Sequence, residues 1–274
     1  RISPNLEEAL RSLRSETTPR AIWTDAICID QSNIQERGHQ IGLMQNIHSF
    51  ASNVVIWLGP ATPATATGID ILSFLAGSDG FDGKCSWEHL SPALLCDGLN
   101  DVMGRPYFRR MWVVQEAALA GKIDMRIGDY SVPWQRGQAA RRFLFRLKFA
   151  EISPKWEHAG LHEVDMRPLI EVLEMNVRQD YRERGHVLRP GLLDIAHHIR
   201  HRVASDRRDK IFALLGLSPD GFDIHGLVDY TMSTEEVFRA FHGLVEKECF
   251  PEMEDLDMDE EVGLDPDRAL PRLA

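Results

Sequence analysis

Residues 20–59 show the clearest pattern of apolar and polar segments in the chain, and they predict a strand, a helix and a second strand. Residues 22–29 are apolar on both faces apart from Asp25, which is typical of a strand covered by helices on two sides. Residues 54–58 form a second apolar run. The segment between the runs carries apolar residues at helical spacing: Ile41, Met44, Ile47 and Ala51. Such a unit indicates a parallel β-α-β layer.

Apolar patterns elsewhere predict helices around this sheet. We expect a helix over residues 4–15 and mostly helical structure over residues 135–202. The segment 60–104 is rich in Pro, Gly, Ala and Thr, which is typical of a variable insertion, and it carries short helix candidates at 69–75 and 90–99. The chain therefore predicts an α/β fold, with a mainly parallel central sheet flanked by helices and a helical C-terminal half.

Residues 107–120 predict a second informative helix, followed by a strand at 123–127. Four side chains share one face of that helix: Phe108, Trp112, Glu116 and Ala120. A carboxylate on such a face is drawn towards the core, where desolvation raises its pKa unless a cation compensates. Glu116 is therefore either an ion-pair partner of an arginine such as Arg109 or Arg110, or a functional carboxylate.

Composition excludes several classes of protein. The formal net charge of −11 argues against a nucleic-acid partner and a generic anionic-membrane surface, although a local basic patch is compatible with it. No apolar run approaches the ~20 residues that span a bilayer, and the charged N-terminus is unlike a signal peptide. The four cysteines lack Cys-x-x-Cys spacing, which favours a reducing, cytoplasmic location. The acidic segment 246–274 is predicted to be a disordered tail.

Polar residues follow the first predicted strand, at the end where ligands gather in open α/β sheets. Asp30 and Gln31 are therefore candidates to bind a substrate, with Arg37 as a donor to phosphate or carboxylate. The alternative is that these polar side chains serve the loop and cap the following helix. Asp25, on a predicted buried face, requires a partner, and we expect a buried salt bridge with an arginine of 207–208.

The charged run 206–210 (DRRDK) predicts structural support rather than catalysis, because capping geometry accounts for both of its aspartates. We therefore assign structural roles to Asp206, Arg207 and Asp209. Ser233 with Glu236 repeats the capping signature before an apolar helix.

Other motifs favour ordinary structure. The string GSDGFDGKC at 77–85 departs from phosphate-loop spacing and predicts a surface loop. The histidines of HHIRH, at 197–201, lack the glutamate of a zinc-protease helix, so we predict no metal site there. Cys28, inside a predicted strand, is expected to be a small buried hydrophobe. The chain contains neither a nucleophile elbow nor a dinucleotide fingerprint.

Three long segments, in order, resemble one protein family. They are WTDAICIDQSNIQERGHQIGLMQNIHSFASNVVIWLG at 23–59, RPYFRRMWVVQEAALAG at 105–121 and DRRDKIFALLGL at 206–217. These segments are similar to blocks of the heterokaryon incompatibility (HET) domains of filamentous fungi, and the resemblance covers residues 5–240. We therefore expect a HET domain over residues 1–245. The resemblance also implies an earlier strand, which a sequence that starts at Arg1 lacks, so we expect a fragment or an incomplete gene product.

The resemblance implies a function in fungal non-self recognition and programmed cell death, a form of innate immunity. It also implies a distant kinship to the Toll/interleukin-1 receptor (TIR) fold, a flavodoxin-like parallel sheet. Enzymatic TIR domains cleave NAD with a glutamate in a Trp-x-x-x-Glu-like pattern, and Trp112 to Glu116 is similar to that pattern. The resemblance thus implies Glu116 as the catalytic carboxylate, Trp112 as a substrate contact, and NAD as a substrate, with no cofactor.

The alternative is a non-catalytic module that signals by self-assembly. Its partners would be further copies of the chain or other incompatibility proteins, and Glu116 would then be a structural residue.

Overall fold

The computed structural model describes residues 2–77, 89–132, 134, 138–183, 192–214, 216, 217 and 225–249. Its helices are α1 (Pro4–Leu13), α2 (Asp25–Cys28), α3 (Ile34–Phe50), α4 (Thr65–Ala76), α5 (Pro92–Met103), α6 (Val113–Leu119), α7 (Gln138–Glu151), α8 (Pro154–His158), α9 (Arg167–Glu183), α10 (Leu192–Ile199), α11 (Asp209–Phe212) and α12 (Thr234–Cys249). Its strands are β1 (Val54–Trp57), β2 (Ile123–Ile127) and β3 (Tyr130–Val132). Short 3-10 helices occupy Pro106–Arg109, Leu161–Glu163 and His225–Leu227.

The three strands form one mixed sheet in the order β1-β2-β3. β1 pairs with β2 in parallel, with Val54 opposite Ile123, and β2 pairs with β3 in antiparallel fashion. Gly128 begins the β2–β3 turn at a φ of 54°, a left-handed conformation that glycine adopts without steric cost. Both apolar runs predicted at 54–58 and 123–127 are therefore confirmed as strands.

The strand predicted at residues 22–29 is wrong. Part of that run forms the short helix α2, and three of its large apolar side chains are exposed: Ile22 (41%), Trp23 (37%) and Ile27 (56%). Its backbone hydrogen bonds are local, because the Ile29 N–H donates to the Asp25 carbonyl at 3.1 Å. The N–H groups of residues 26–29 are all bonded within this turn, so they do not pair with a sheet. Cys28, predicted to be buried, is exposed as a consequence.

The helix predicted over 107–120 is interrupted at residues 110–112. Val203 pairs there with the chain: its N–H donates to the Arg109 carbonyl at 2.6 Å, and its carbonyl accepts the Met111 N–H at 2.9 Å. The buried guanidinium of Arg202 donates to the Phe108 carbonyl at 2.7 Å. These bonds satisfy the backbone outside a helix, so α6 begins only at Val113 and Phe108 does not share a helix face with Glu116.

Helix α6 lies between two hydrophobic clusters. Val113 and Ala117 pack into the first, which holds the sheet with side chains from α4, α5, α7 and α9. Val114 and Ala118 pack into the second, which holds side chains from α3, α10, α11 and α12. Burial on two sides fixes the orientation of α6 and leaves little of its surface for any other contact.

The segment 60–104, predicted to be a variable insertion, contributes two helices to the core. Leu72 and Leu75 of α4 and Leu99 of α5 are almost fully buried. The two helices cross where Gly68 meets Gly98, and a Cβ on Gly68 would stand 2.1 Å from the Gly98 carbonyl oxygen. This close approach of two backbones requires glycine on both sides.

Other predictions have mixed outcomes. The helices expected at 4–15 and across 135–202 are confirmed for the described residues, and Ser233 and Glu236 form the reciprocal cap at the start of α12. The surface loop at 77–85 lies outside the described residues from position 78 onwards, as does the acidic tail from position 250. Within the described ranges, no helix has the length and apolar character needed to cross a membrane.

We expect Gly68→Ala to lower the free energy of unfolding by about 2–3 kcal/mol, because the added methyl group collides with backbone rather than with a movable side chain. Urea denaturation followed by circular dichroism measures the change. Gly243→Ala is the matched control: this glycine lies within α12 and a Cβ there meets nothing within 4 Å, so the change should be neutral or stabilising by up to about 1 kcal/mol. Equal stability of the wild type and Gly68→Ala would refute the close crossing.

Candidate functional site

Glu116 stands out on α6 because its neighbours on the helix are buried. All seven residues of α6 are described; six are buried, and Glu116 alone keeps a partial exposure. A carboxylate surrounded by buried residues loses much of its hydration. Unless cations or hydrogen-bond donors replace the lost water, its pKa rises. The position of α6 between two cores therefore presents one acidic side chain at a defined point.

Three groups act on the Glu116 carboxylate. Burial raises its pKa; the positive charge of Arg110 opposes the shift, the negative charge of Asp25 reinforces it, and the Tyr107 hydroxyl opposes it. The pKa of Tyr107 is raised well above its usual value by burial and by the charge of Glu116. No close salt bridge joins Glu116 to an arginine among the described residues, but the charge of Arg110 acts on its carboxylate, which supports the ion-pair alternative for that arginine.

Asp25 lies close enough to Glu116 to raise its pKa, yet it is itself exposed. Its carboxylate accepts the Ala26 N–H at 2.7 Å, at the start of α2. The predicted buried salt bridge with an arginine of 207–208 is wrong, because the segment 22–29 is a surface turn rather than a central strand. The structure thus moves Asp25 from the core to the edge of the Glu116 site.

His48 is a third member of this neighbourhood, and sequence reasoning missed it. It lies in the last turn of α3, 7% exposed, with its ring edge-on to Trp23 at 6.4 Å between centroids. Burial lowers its pKa to about 4, against the opposing charge of Asp25. Its Nδ1 is buried without a hydrogen-bond partner among the described atoms. Its helical spacing from Ile41 and Met44 was the signal that could have placed it on the buried face.

Together these side chains offer two carboxylates in different environments, a phenol and a neutral imidazole. A half-buried carboxyl with a raised pKa beside an exposed one is an arrangement that can hold one proton and one negative charge at the same time. We call the set Asp25, His48, Tyr107, Arg110 and Glu116 the carboxylate site. No group of His, Cys, Asp and Glu side chains able to hold a metal ion occurs in the part of the chain that the structure describes.

A second polar cluster is centred on Asp209, a buried residue of α11. Its carboxylate accepts the Tyr230 hydroxyl at 2.6 Å and the Trp112 indole N–H at 3.1 Å. Burial raises the pKa of Asp209, and these two hydrogen bonds oppose the shift. The Asp209 carboxylate therefore fixes the Trp112 indole at the N-terminal end of α6, although the two residues are 97 positions apart in the chain.

Asp206 and two arginines complete this cluster. Arg37 donates to Asp206 at 3.0 Å and places its guanidinium carbon 3.4 Å from the centre of the Tyr230 ring. Arg208 donates to Asp206 at 2.7 Å and to the Tyr230 carbonyl at 2.7 Å. The Arg208 hydrogen bonds are the main reason that the pKa of Asp206 falls to about 2. Arg207 is exposed.

The predicted substrate residues do not gather at the carboxylate site. Arg37 and Trp112 belong to the Asp209 cluster, as described. Asp30 accepts the Ser32 hydroxyl at 2.6 Å, and this bond is the main cause of its lowered pKa. Gln31 donates to the Asp25 carbonyl at 3.2 Å, which brings it to the edge of the site. Asp30 and Gln31 therefore order the turn before α3, as in the loop alternative.

An open groove lies elsewhere among the described residues. It encloses ≈ 440 Å³ beside α1 and is lined by residues between Ile2 and Ile22, including Leu10, Arg14 and Arg20. Glu116 is not among its lining residues. The carboxylate site is thus a surface-edge cluster rather than part of that groove.

Comparisons with known proteins agree with the resemblance found in the sequence. The family described as "Heterokaryon incompatibility protein (HET)" matches residues 1–116. "Heterokaryon incompatibility protein 6, OR allele" of Neurospora crassa is 25% identical over 279 aligned residues, which cover 85% of this chain and 40% of the relative. The chain thus spans 40% of the length of the curated relative that it matches. No solved structure matches the chain.

We expect His48→Gln to remove part of the pH dependence of stability. The unfolded chain protonates His48 near pH 6.5 and the folded chain only near pH 4, so the unfolded state binds more protons between these values. Wild-type stability therefore falls as the pH drops through this window, by about 3 kcal/mol from His48, and the variant lacks this term. Urea denaturation at several values between pH 4 and pH 7.5 measures the difference.

His242→Gln, at a side chain 76% exposed, is the control and should leave the wild-type pH profile unchanged. Parallel profiles for the wild type and His48→Gln would show that His48 titrates normally in the folded chain.

We expect Asp209→Ala to lower the free energy of unfolding by about 2–4 kcal/mol, because the Tyr230 hydroxyl and the Trp112 N–H lose their buried acceptor. Glu246→Ala removes a carboxylate that is 63% exposed beside the exposed His242, and it should cost no more than about 0.5 kcal/mol. Chemical denaturation of both variants provides the comparison. A loss of equal size in the two variants would contradict the role assigned to Asp209.

Proposed function

We propose that this chain, whose residues 1–116 match the heterokaryon incompatibility (HET) family, acts in fungal heterokaryon incompatibility through the carboxylate site around Glu116. The match to the family and the name of the Neurospora crassa relative support the biological role. In this proposal the chain is an effector of programmed cell death in the cytoplasm.

One observation carries the choice of site: Asp25 and Glu116, from different elements, lie close enough for the charge of one to raise the pKa of the other. Two carboxylates repel each other, and one of them is half-buried on an otherwise buried helix. Core packing does not explain this arrangement, because the charge of Arg110 offsets only part of the cost of desolvation and repulsion. Carboxylates held at such a cost in free energy are typical of sites that bind a cationic or hydroxyl-rich ligand.

The reaction that suits this site is cleavage of NAD. The nicotinamide ring of NAD is cationic, so the exposed Asp25 charge favours its approach. The bond between nicotinamide and the ribose C1′ breaks, and the leaving ring keeps the electron pair. The Glu116 carboxylate stabilises the oxocarbenium-like ribose that remains. Water adds to C1′ and loses a proton, which Glu116, with its raised pKa, is suited to accept.

The same proposal includes kinship to the TIR fold. The parallel pair β1 and β2, each preceded by a helix that packs close to the other, supports a flavodoxin-like arrangement. The Trp-x-x-x-Glu pattern supports it at the level of sequence, although Trp112 here contacts Asp209 rather than an open site.

The second candidate is a non-catalytic module that signals by self-assembly. Its support is that Arg37 and Trp112, the side chains expected to hold a substrate, already have protein partners. Exposed Ile22, Trp23 and Ile27 beside the carboxylate site would then belong to an assembly surface.

We expect Glu116→Gln to lower the rate of nicotinamide release from NAD by about 100- to 1000-fold, the usual cost of removing one electrostatic group from an active site. Glu235→Gln, at an exposed side chain of α12, is the matched control and should retain the wild-type rate. Release is measured by chromatography on the complete protein, both free and artificially clustered.

Absence of release by the clustered wild type refutes NAD cleavage. If toxicity in fungal cells then persists in Glu116→Gln and follows the oligomeric state measured by light scattering, the self-assembly candidate stands. If toxicity disappears while folding and oligomers are retained, a reaction on another substrate at Glu116 is indicated.

A further inference from the structure

The open groove beside α1 lies between that helix and the segment that follows it. The chain turns after α1, where the Ser15 hydroxyl oxygen accepts the Thr17 N–H at 3.4 Å and the Thr18 N–H at 3.1 Å. Side chains from residues 15–22 and from α1 line the groove together. We call it the α1 groove. Its volume of ≈ 440 Å³ is within the range of about 300–1,000 Å³ that is usual for sites of small organic molecules.

Large apolar side chains form part of the lining of the α1 groove. Leu13 is buried and Leu10 is half-buried, and both belong to α1. Ile2 and Ile22 come from the segments before and after α1, and they are 39% and 41% exposed. Apolar side chains that meet at a concave surface lose contact with water when an apolar group enters. The groove therefore suits the hydrocarbon part of a ligand.

The charged side chains of the same lining are mainly basic. Among the described residues they are Glu7, Arg11, Arg14 and Arg20. Glu7 and Arg11 form an ion pair at 2.7 Å, so their charges offset each other. The guanidinium groups of Arg14 and Arg20 have neither a hydrogen bond nor an ion pair with any residue that the structure describes. Two guanidinium groups at one groove are thus available to an anion.

We propose that the α1 groove binds a free acyl carboxylate, the anion of a medium-chain fatty acid. Arginine donates to a carboxylate through its planar fork of N–H groups, so Arg14 and Arg20 are suited to hold the head of this ligand. The hydrocarbon chain packs on Leu10 and Leu13 and covers the exposed side of Ile22. The ligand therefore satisfies both the basic and the apolar part of the lining.

The shape of the groove favours a single dissolved molecule over a lipid surface. Leu13 is only 9% exposed, so a flat surface does not reach it, whereas one acyl chain can enter the groove. The groove is also separate from the carboxylate site, because Glu116 does not line it. Binding in the α1 groove is consequently independent of the reaction proposed at Glu116.

Isothermal titration calorimetry of the full chain with decanoate, below the concentration at which decanoate forms micelles, tests the proposal. We expect decanoate to bind at least about threefold more tightly than decanol, which has the same chain without the charge. Decyltrimethylammonium, which carries the opposite charge, should bind more weakly still. Raised salt should weaken the binding of decanoate and leave that of decanol unchanged.

The double variant Arg14→Gln with Arg20→Gln tests the basic part of the lining. It should weaken decanoate binding at least about tenfold and leave decanol binding unchanged, because only the charged head loses its donors. Arg207→Gln, at an exposed arginine that does not line the groove, is the control and should change neither affinity.

Ile22→Ser tests the apolar part of the lining. It should weaken the binding of decanoate and decanol alike, at least about threefold, because both chains lose an apolar contact. Ile27→Ser is the matched control: Ile27 is 56% exposed and does not line the groove, so both affinities should stay at the wild-type value. A thermal unfolding curve for each variant checks that it folds like the wild type.

Three results would overturn the proposal: no binding of decanoate at millimolar concentration, equal binding of decanoate and decyltrimethylammonium, or equal losses in the groove variants and their controls. Binding to vesicles that contain phosphatidylserine, without binding of dissolved decanoate, would reassign the groove to a lipid surface and overturn it as well.

Discussion

The buried carboxylate of Asp209 is the interaction on which the arrangement of the chain depends. It accepts hydrogen bonds from the Trp112 indole and the Tyr230 hydroxyl, and so joins the entrance of α6, helix α11 and the segment before α12. A buried carboxylate is costly unless its lone pairs are used, and here they are used by groups from distant parts of the sequence. Any other packing of these segments would leave an acid, an indole and a phenol without partners.

Because Asp209 binds Trp112 at the N-terminal end of α6, the position of this helix is fixed. Two hydrophobic clusters close on it from opposite sides, and the pairing of Val203 with the chain at Arg109 and Met111 sets where it begins. Glu116 inherits a fixed position from these contacts. The position of the Glu116 carboxylate is therefore set by the packing of α6 rather than by hydrogen bonds of the carboxylate itself.

The molecule contains two polar clusters with opposite characters. In the cluster around Asp209 the carboxylates and donors are matched, which suits a structural role. In the carboxylate site, burial raises the pKa of Glu116 and the charge of Asp25 adds to the shift, and the Nδ1 atom of His48 is buried without a partner among the described atoms. Unbalanced charge and unmet hydrogen-bonding capacity are tolerated where a ligand supplies the balance, and this contrast is the physical reason for proposing a function at Glu116.

The sequence by itself determined the elements whose signals are local, together with the resemblance to a family whose model matches residues 1–116. Strands β1 and β2, helix α3 and the cap of α12 follow from apolar spacing and neighbouring polar residues. Only the tertiary structure decided that residues 22–29 turn instead of extending, that Val203 breaks the helix predicted before α6, and that Trp112 belongs to Asp209. Those outcomes depend on hydrogen bonds between residues about 90 positions apart, or on competition between local turns and a sheet. The spacing of apolar residues along the chain predicts neither of them, because it reports only local structure.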